Sequence, residues 1–104
     1  MTKEELKEKL NILESEYDFK IRELYIQYAN DNNQVKVGDI IRDHFGFGRV
    51  ETMSVYINRY DKESKMKYIC TVLNKDGTER KRGETTRDIY QNNIKEINGV
   101  KVKD

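Results

Sequence analysis

The segment "DHFGFGRV" at residues 43–50 gathers the residue types in this chain that could do chemistry. Gly46 and Gly48 form a G-x-G pair, which in nucleotide-binding proteins lets the backbone approach a phosphate. Such a site also needs a third glycine and a following helix, whose free amides and dipole hold the phosphate. Here a strand-like, alternating segment follows, and no G-K-[ST] motif occurs in the sequence. The spacing therefore argues against a phosphate cradle.

Catalysis and metal binding have little support in the residue types. His44 is the only histidine and Cys70 the only cysteine. A nucleophile and its base also need a third group that orients the base, and none stands at a recognisable position. Metal sites need several converging His, Cys or acidic ligands. We therefore expect a protein that is not an enzyme, with no cofactor and no metal, in which His44 faces solvent and Cys70 is a small buried hydrophobe.

Length and composition indicate one small domain with an uneven charge. The 104 residues are 36% apolar and 38% charged, and the net charge is +1. Residues 1–33 carry five basic against eight acidic side chains, giving −3, so the remainder carries +4 and is the better candidate for an anionic partner. The start "MTKEELKEKL" lacks an apolar signal core, and no apolar run reaches the roughly 20 residues of a membrane span. We expect a cytoplasmic protein without a membrane partner.

Residues 1–33 predict one amphipathic helix. Thr2 and Glu5 have the spacing of a capping box. An apolar stripe recurs at spacings of 4, 3, 4, 4, 3 and 4, and it consists of Leu6, Leu10, Leu13, Tyr17, Ile21, Leu24 and Tyr28. A second apolar line consists of Ile12, Phe19 and Ile26. We expect the stripe to pack on the body of the domain, on a second copy in a homodimer, or on both.

Residues 34–104 predict a small five-stranded antiparallel barrel, which makes the chain α+β. The first strand is expected from Val35 to Ile41, the second over Arg49–Tyr60 with Met53, Val55 and Ile57 toward the core. The third is expected over Met66–Leu73, with one face consisting of Met66, Tyr68, Cys70 and Val72. Asp76-Gly77 and Asn98-Gly99 are tight-turn dipeptides. The pattern further predicts a charged strand in "ERKR" (79–82) and a helical turn in "TTRDIYQNNI" (85–94).

The segment "VGDIIRDHFGFGRVETM" at residues 37–53 resembles the opening of Src-homology-3-like and Tudor-like small barrels. It is similar in particular to the C-terminal barrel of certain bacterial DNA helicases. The resemblance is carried by a "GD" strand start, an "HFG" loop and a "G.V" strand entry, which here are Gly38, Asp39, His44, Phe45, Gly46, Gly48 and Val50. It implies a module that docks a peptide, a protein surface or nucleic acid.

Two sets of residues are candidates for the binding surface. The first set is aromatic and suits a protein partner, since rings dominate interface energetics; it consists of Phe45, Phe47, Tyr56 and Tyr60. It favours a protein-binding adaptor or inhibitor, which by the resemblance would act on a nucleic-acid-handling complex. The alternative is direct nucleic-acid binding through a basic set of Lys75, Arg80, Lys81, Arg82 and Arg87. The rings could instead fill the core, and the charges could protect a strand edge.

Overall fold

The computed structural model describes residues 1–102, which form one long helix followed by an antiparallel sheet. The helix α1 spans Lys3–Asp31. The strands are β1 (Ile40–Asp43), β2 (Gly46–Asn58), β3 (Glu63–Leu73), β4 (Thr86–Tyr90), β5 (Glu96–Ile97) and β6 (Val100–Lys101). The six strands lie in the order β4-β3-β2-β1-β5-β6. The α+β class and the long helix are confirmed, whereas the five-stranded barrel is not, because the sheet has six strands and is open.

The helix begins and ends through side-chain caps. Thr2 Oγ1 accepts a hydrogen bond of 3.1 Å from the Glu5 amide, which confirms the predicted N-cap. At the other end, Asn30 and Asn32 each donate a side-chain amide at 2.9 Å to the carbonyl four residues earlier, and the Asn32 backbone amide donates to the same Tyr28 carbonyl at 3.2 Å. The 29 helical residues span about 43 Å, and the domain measures 68 × 31 × 21 Å. Residues 3–20 are all exposed, so this part of the helix projects beyond the sheet.

The C-terminal part of α1 is tied to the sheet by three side chains. Ser64 Oγ donates to the Tyr25 carbonyl at 2.7 Å, and Gln91 Nε2 donates to the Asn32 carbonyl at 2.6 Å. Tyr68 donates its hydroxyl to Asn33 Oδ1 at 2.6 Å, directly after the helix. Burial raises the pKa of Tyr68 to about 12, so the hydroxyl keeps its proton and stays a donor at neutral pH. These bonds fix the direction in which the helix leaves the sheet.

The core lies on the concave face of the sheet. On β3 the buried residues alternate, which confirms the predicted face of Met66, Tyr68, Cys70 and Val72. Cys70 is 1% exposed, as expected for a buried hydrophobe, and burial raises the pKa of its thiol to about 11. On β2 the register shifts between Val50 and Thr52, which marks a bulge. The bulge puts Val50 on the same face as the half-buried Met53 and Val55, although simple alternation separates them.

Three predicted elements differ in the structure. The first strand starts at Ile40 rather than Val35, because Gly38 has a φ of 93° and the Asp39 amide closes a turn onto the Lys36 carbonyl. The predicted "ERKR" strand makes only one isolated bridge, between Leu73 and Glu79. The segment 85–94 holds one 3₁₀ turn at Gln91–Asn93, which confirms the predicted helical turn, but most of the segment is β4, which was not predicted. The Asn98-Gly99 turn is confirmed, with β5 and β6 on either side.

Gly48 lies where β2 approaches β3 closely. A Cβ at this position would lie 2.8 Å from Cys70 Cβ and 3.3 Å from Ile89 Cδ1. Real Cβ atoms do not approach this closely, and Cys70 Cβ is fixed to the backbone of β3. The absence of a side chain at Gly48 therefore allows β2, β3 and β4 to pack tightly where the sheet curls.

We expect Gly48→Ala to lower the free energy of unfolding by about 1–3 kcal/mol, because the added methyl group forces the strands apart. Urea denaturation followed by circular dichroism measures this change. Ser54→Ala is the matched control, since Ser54 is exposed on the same strand, and it should change stability by less than about 0.5 kcal/mol. Equal stability of the two variants would show that no close packing exists at Gly48.

Candidate binding cleft

The loop between β1 and β2 presents one aromatic ring to solvent. Asp43 pairs with Gly46 across the end of the hairpin, so only His44 and Phe45 form the loop. Gly46 has a φ of 142°, a conformation that favours glycine. Asp43 Oδ1 accepts hydrogen bonds from the amides of Phe45 at 2.9 Å and of Gly46 at 3.2 Å. Phe45 is 78% exposed on this constrained turn, and His44 is exposed as predicted.

A buried ion pair joins the two sides of the curled sheet. Arg87 on β4 donates from Nη1 to Asp43 Oδ2 at 2.6 Å and from Nη2 to Asp43 Oδ1 at 3.0 Å. Its Nη2 also contacts the Gly46 carbonyl oxygen at 3.4 Å. Strands β2 and β3 lie between β1 and β4 in the sheet, so this bidentate pair crosses the concave face. The pair therefore requires the sheet to curl around Gly46 and Gly48.

Asp43 stays ionised although it is only 5% exposed. Burial alone would raise the pKa of its carboxyl group. The hydrogen bonds and the charge of Arg87, together with the amides of Phe45 and Gly46, outweigh burial and hold the pKa below its ordinary value. The carboxylate is thus a stable acceptor for both the turn and the guanidinium.

An open cleft of about 720 Å³ lies beside the Phe45 turn. Phe47, Val72 and Leu73 contribute apolar surface to it, and its other lining residues include Lys75, Arg80 and Glu84. The Phe45 ring centroid lies 4.0 Å from that of His44 and 5.6 Å from the guanidinium carbon of Arg87. The exposed ring is therefore supported on one side by a cation and stands next to an apolar hollow.

The structure brings together members of both predicted sets. Phe45 and Phe47 from the aromatic set share the cleft with Lys75, Arg80 and Arg87 from the basic set. Arg87 is bound to Asp43, so its guanidinium has a structural partner. Lys81 and Arg82 line a neighbouring depression, to which Asn74 and Arg80 also contribute.

Tyr56 and Tyr60 lie elsewhere. Tyr56 follows Phe47 on β2 by nine residues, about 30 Å along an extended strand, and Tyr60 lies beyond the end of β2. Tyr56 packs edge-on against Tyr90 at 5.7 Å, with the Lys65 ammonium 5.5 Å above its ring. Tyr60 is 95% exposed at the turn between β2 and β3. The four predicted rings therefore do not form one surface.

Four cations of the predicted basic set belong to a basic strip along the cleft, and sequence reasoning missed its extension by Lys95 and Lys101. A third depression shares Arg42 and His44 with the cleft and includes Lys95 and Lys101. Lys95 and Lys101 lie at this depression because β5 pairs with β1 and β6 pairs with β5. The basic strip is defined here by its six cations that have no carboxylate within 4 Å among residues 1–102: Lys75, Arg80, Lys81, Arg82, Lys95 and Lys101.

No protein-family model, curated protein or solved structure matches this chain. Within residues 1–102 no cluster of three or more His, Cys, Asp or Glu residues has the arrangement of a metal site. In the same range no helix is long and apolar enough to cross a membrane. The resemblance to small barrels therefore stays a prediction.

We expect Asp43→Asn to lower the free energy of unfolding at pH 7 by about 3 kcal/mol, because it leaves the largely buried Arg87 without its counter-charge. The pKa of Asp43 is depressed in the folded state, so its stabilisation is complete above the unfolded value of about 4 and is lost as the pH falls through the lower folded value. The difference between wild type and variant should therefore shrink below pH 4.

Urea denaturation of both proteins between pH 7 and pH 2.5 measures this pH dependence. Asp88→Asn is the control, since Asp88 is an exposed carboxylate 3.9 Å from Lys67 and should contribute at most about 1 kcal/mol. A stability difference for Asp43→Asn that does not change with pH would contradict the ionic role of the carboxylate.

Proposed function

We propose that the protein is a non-enzymatic binding module that binds single-stranded nucleic acid along the basic strip. The observation that carries this proposal is the constrained, exposed ring of Phe45 at an apolar cleft with cations on its rim. Proteins that bind single strands combine a positively charged groove for the backbone with aromatic rings on which bases stack. Both elements lie together at one end of this domain.

The charges near the strip favour an anionic partner. Three acids line the cleft or its neighbouring depressions, and two of them are bound to arginine: Asp43 to Arg87, and Glu79 to Arg49 at 2.6 Å. Glu84 is left to oppose the six cations of the strip. Residues 1–33 carry a charge of −3, and the exposed part of this helix, residues 3–20, extends past the β2–β3 hairpin and away from the cleft. The resulting field would steer a polyanion toward the cleft.

The Phe45 turn supplies the stacking surface. Its backbone is fixed by two hydrogen bonds to Asp43, so little conformational freedom is lost when a base stacks on the ring. A stacked base is worth about 1–3 kcal/mol by alanine substitution. The neighbouring apolar surface of Phe47 and Val72 would accept a second base, while Lys75 and Arg80 would contact the phosphates.

The curl of the sheet also suggests a more specific fold. We interpret the open sheet as a curled relative of Src-homology-3-like and Tudor-like barrels, because the ion pair between β1 and β4 draws the two sides of the sheet together. By the resemblance, the module would serve a nucleic-acid-handling complex in the cytoplasm. The resemblance implies docking of a partner, and the open shape of the cleft is compatible with it.

A protein-binding adaptor or inhibitor is the second candidate function. The half-buried Phe47, with the small exposed edges of Val72 and Leu73, favours it, since an apolar side chain of an acidic peptide would cover this floor of the cleft. The salt dependence of the binding affinity distinguishes the two candidate functions. A nucleic acid that releases counterions loses affinity steeply as salt is added, whereas an apolar anchor responds weakly.

We expect a fluorescein-labelled single-stranded 20-mer of mixed sequence to bind the wild-type protein, as measured by fluorescence anisotropy between 50 and 200 mM salt. Phe45→Ala should weaken binding by about 5- to 150-fold, which corresponds to one lost stacking contact. Lys75→Ala with Arg80→Ala should reduce the slope of log affinity against log salt by about 1.4, or 0.7 for each phosphate contact.

Matched controls come from the β2–β3 hairpin, at the end of the sheet away from the cleft. Tyr60→Ala and Lys65→Ala remove an exposed ring and a cation outside the strip, and both should leave the affinity unchanged. No binding at 50 mM salt, or binding that survives Phe45→Ala, would contradict the proposal. Binding of a labelled Glu-rich peptide containing Phe or Leu, without binding of the oligonucleotide, would favour the adaptor instead.

A further inference from the structure

The apolar stripe of α1 has almost no partner within the chain. Six of its seven residues are 45–68% exposed, and only Ile21 is half-buried. The face that packs on the sheet consists of Ile21, Tyr25 and Ala29, so it shares only Ile21 with the stripe. The stripe runs from Leu6 to Tyr28, about 33 Å along the helix. An exposed apolar surface of this length marks an interaction site.

The spacing of the stripe is the same in both directions from its centre. From Tyr17 the apolar residues recur after 4, 3 and 4 positions toward the C-terminus, and after 4, 3 and 4 positions toward the N-terminus. A second helix running in the opposite direction would therefore place Tyr17 on Tyr17 and Leu13 on Ile21, and the outer positions would meet likewise. A two-fold symmetric interface requires this self-complementarity.

The repeat also suits straight helices. Leu6, Tyr17 and Tyr28 are separated by 11 residues, as are Leu10 and Ile21. An 11-residue repeat has 3.67 residues per turn, close to the 3.6 of an undistorted helix. The apolar stripe therefore stays on one side of α1 over its whole length, and two copies can remain in contact with little supercoiling.

The domain has a groove in which the helix of a second copy can pack. An open groove of about 820 Å³ lies between the C-terminal half of α1 and the β2–β3 hairpin. Ile21, Leu24 and Tyr28 of the stripe line it, together with Tyr25 and Ser64. These are the positions that an antiparallel copy pairs with Leu13, Leu10 and Leu6. The projecting N-terminal half of one helix thus has a matching groove on the other chain.

We propose that the protein forms a homodimer in which two α1 helices pack antiparallel about Tyr17. The N-terminal half of each helix lies in the groove between α1 and the β2–β3 hairpin of the other copy. The two basic strips then lie at opposite ends of the dimer, because Phe45 is at the end of β2 away from this hairpin. The dimer goes beyond the proposed nucleic-acid binding and does not depend on it.

Single cysteines distinguish the antiparallel dimer from a parallel one. With a short bismaleimide crosslinker, Tyr17→Cys should give covalent dimers. Leu6→Cys and Tyr28→Cys, each treated alone, should give no covalent dimer. An equal mixture of Leu6→Cys and Tyr28→Cys should crosslink. The wild type, whose Cys70 is buried, is the blank, and Val100→Cys, which is 70% exposed on the edge strand β6, reports random collisions. Crosslinking of Leu6→Cys with itself, or none for Tyr17→Cys, would overturn the proposal.

Sedimentation equilibrium tests the stripe with a matched pair of adjacent residues. Leu13 and Ile12 are 60% and 51% exposed, but only Leu13 belongs to the stripe. Leu13→Asp should raise the dimer dissociation constant by at least about tenfold, because it buries a carboxylate in the interface. Ile12→Asp should leave the constant unchanged. A wild type that is monomeric at about 100 μM, or equal effects of the two variants, would refute the antiparallel dimer.

Discussion

The bidentate contact between Asp43 and Arg87 sets the shape of the domain. The two residues lie on strands separated by two others, so the contact forms only when the sheet curls, and Gly48 leaves the space for this curl. The same carboxylate accepts the amides of Phe45 and Gly46. One buried charge therefore links the curvature of the core to the position of the exposed ring. Loss of that charge would loosen both at once.

The two ends of the molecule have separate physical roles. The end near Phe45 combines an apolar hollow with cations that have no acidic partner among residues 1–102, which favours a polyanion. The other end is a helix that touches the sheet through Ile21, Tyr25 and Ala29 and leaves its apolar stripe open. The hydrogen bond from Tyr68 to Asn33 helps to fix the direction in which the helix leaves the sheet. A dimer through the stripe would therefore place two binding ends on one particle and increase avidity for a long strand.

Local patterns predicted the local structure well. The Thr2 cap, the buried face around Cys70 and the Asn98-Gly99 turn each depend on residues close in sequence. Long-range features escaped prediction for a common reason. The bulge in β2 depends on pairing with β3, and the meeting of Phe45 with Arg80 depends on the curl of the sheet. The stripe was predicted, but whether the sheet or a second copy covers it was left open, because periodicity shows that a face is apolar without showing what covers it.

Amide hydrogen exchange in wild type and Arg87→Met tests most directly whether the ion pair holds the Phe45 turn. In the wild type the Phe45 and Gly46 amides donate to Asp43, so they should be protected although the loop is at the surface. In Arg87→Met these two amides should lose about tenfold or more of that protection, while the amides between β2 and β3 keep theirs. Unchanged protection of Phe45 and Gly46 in the variant would contradict the account.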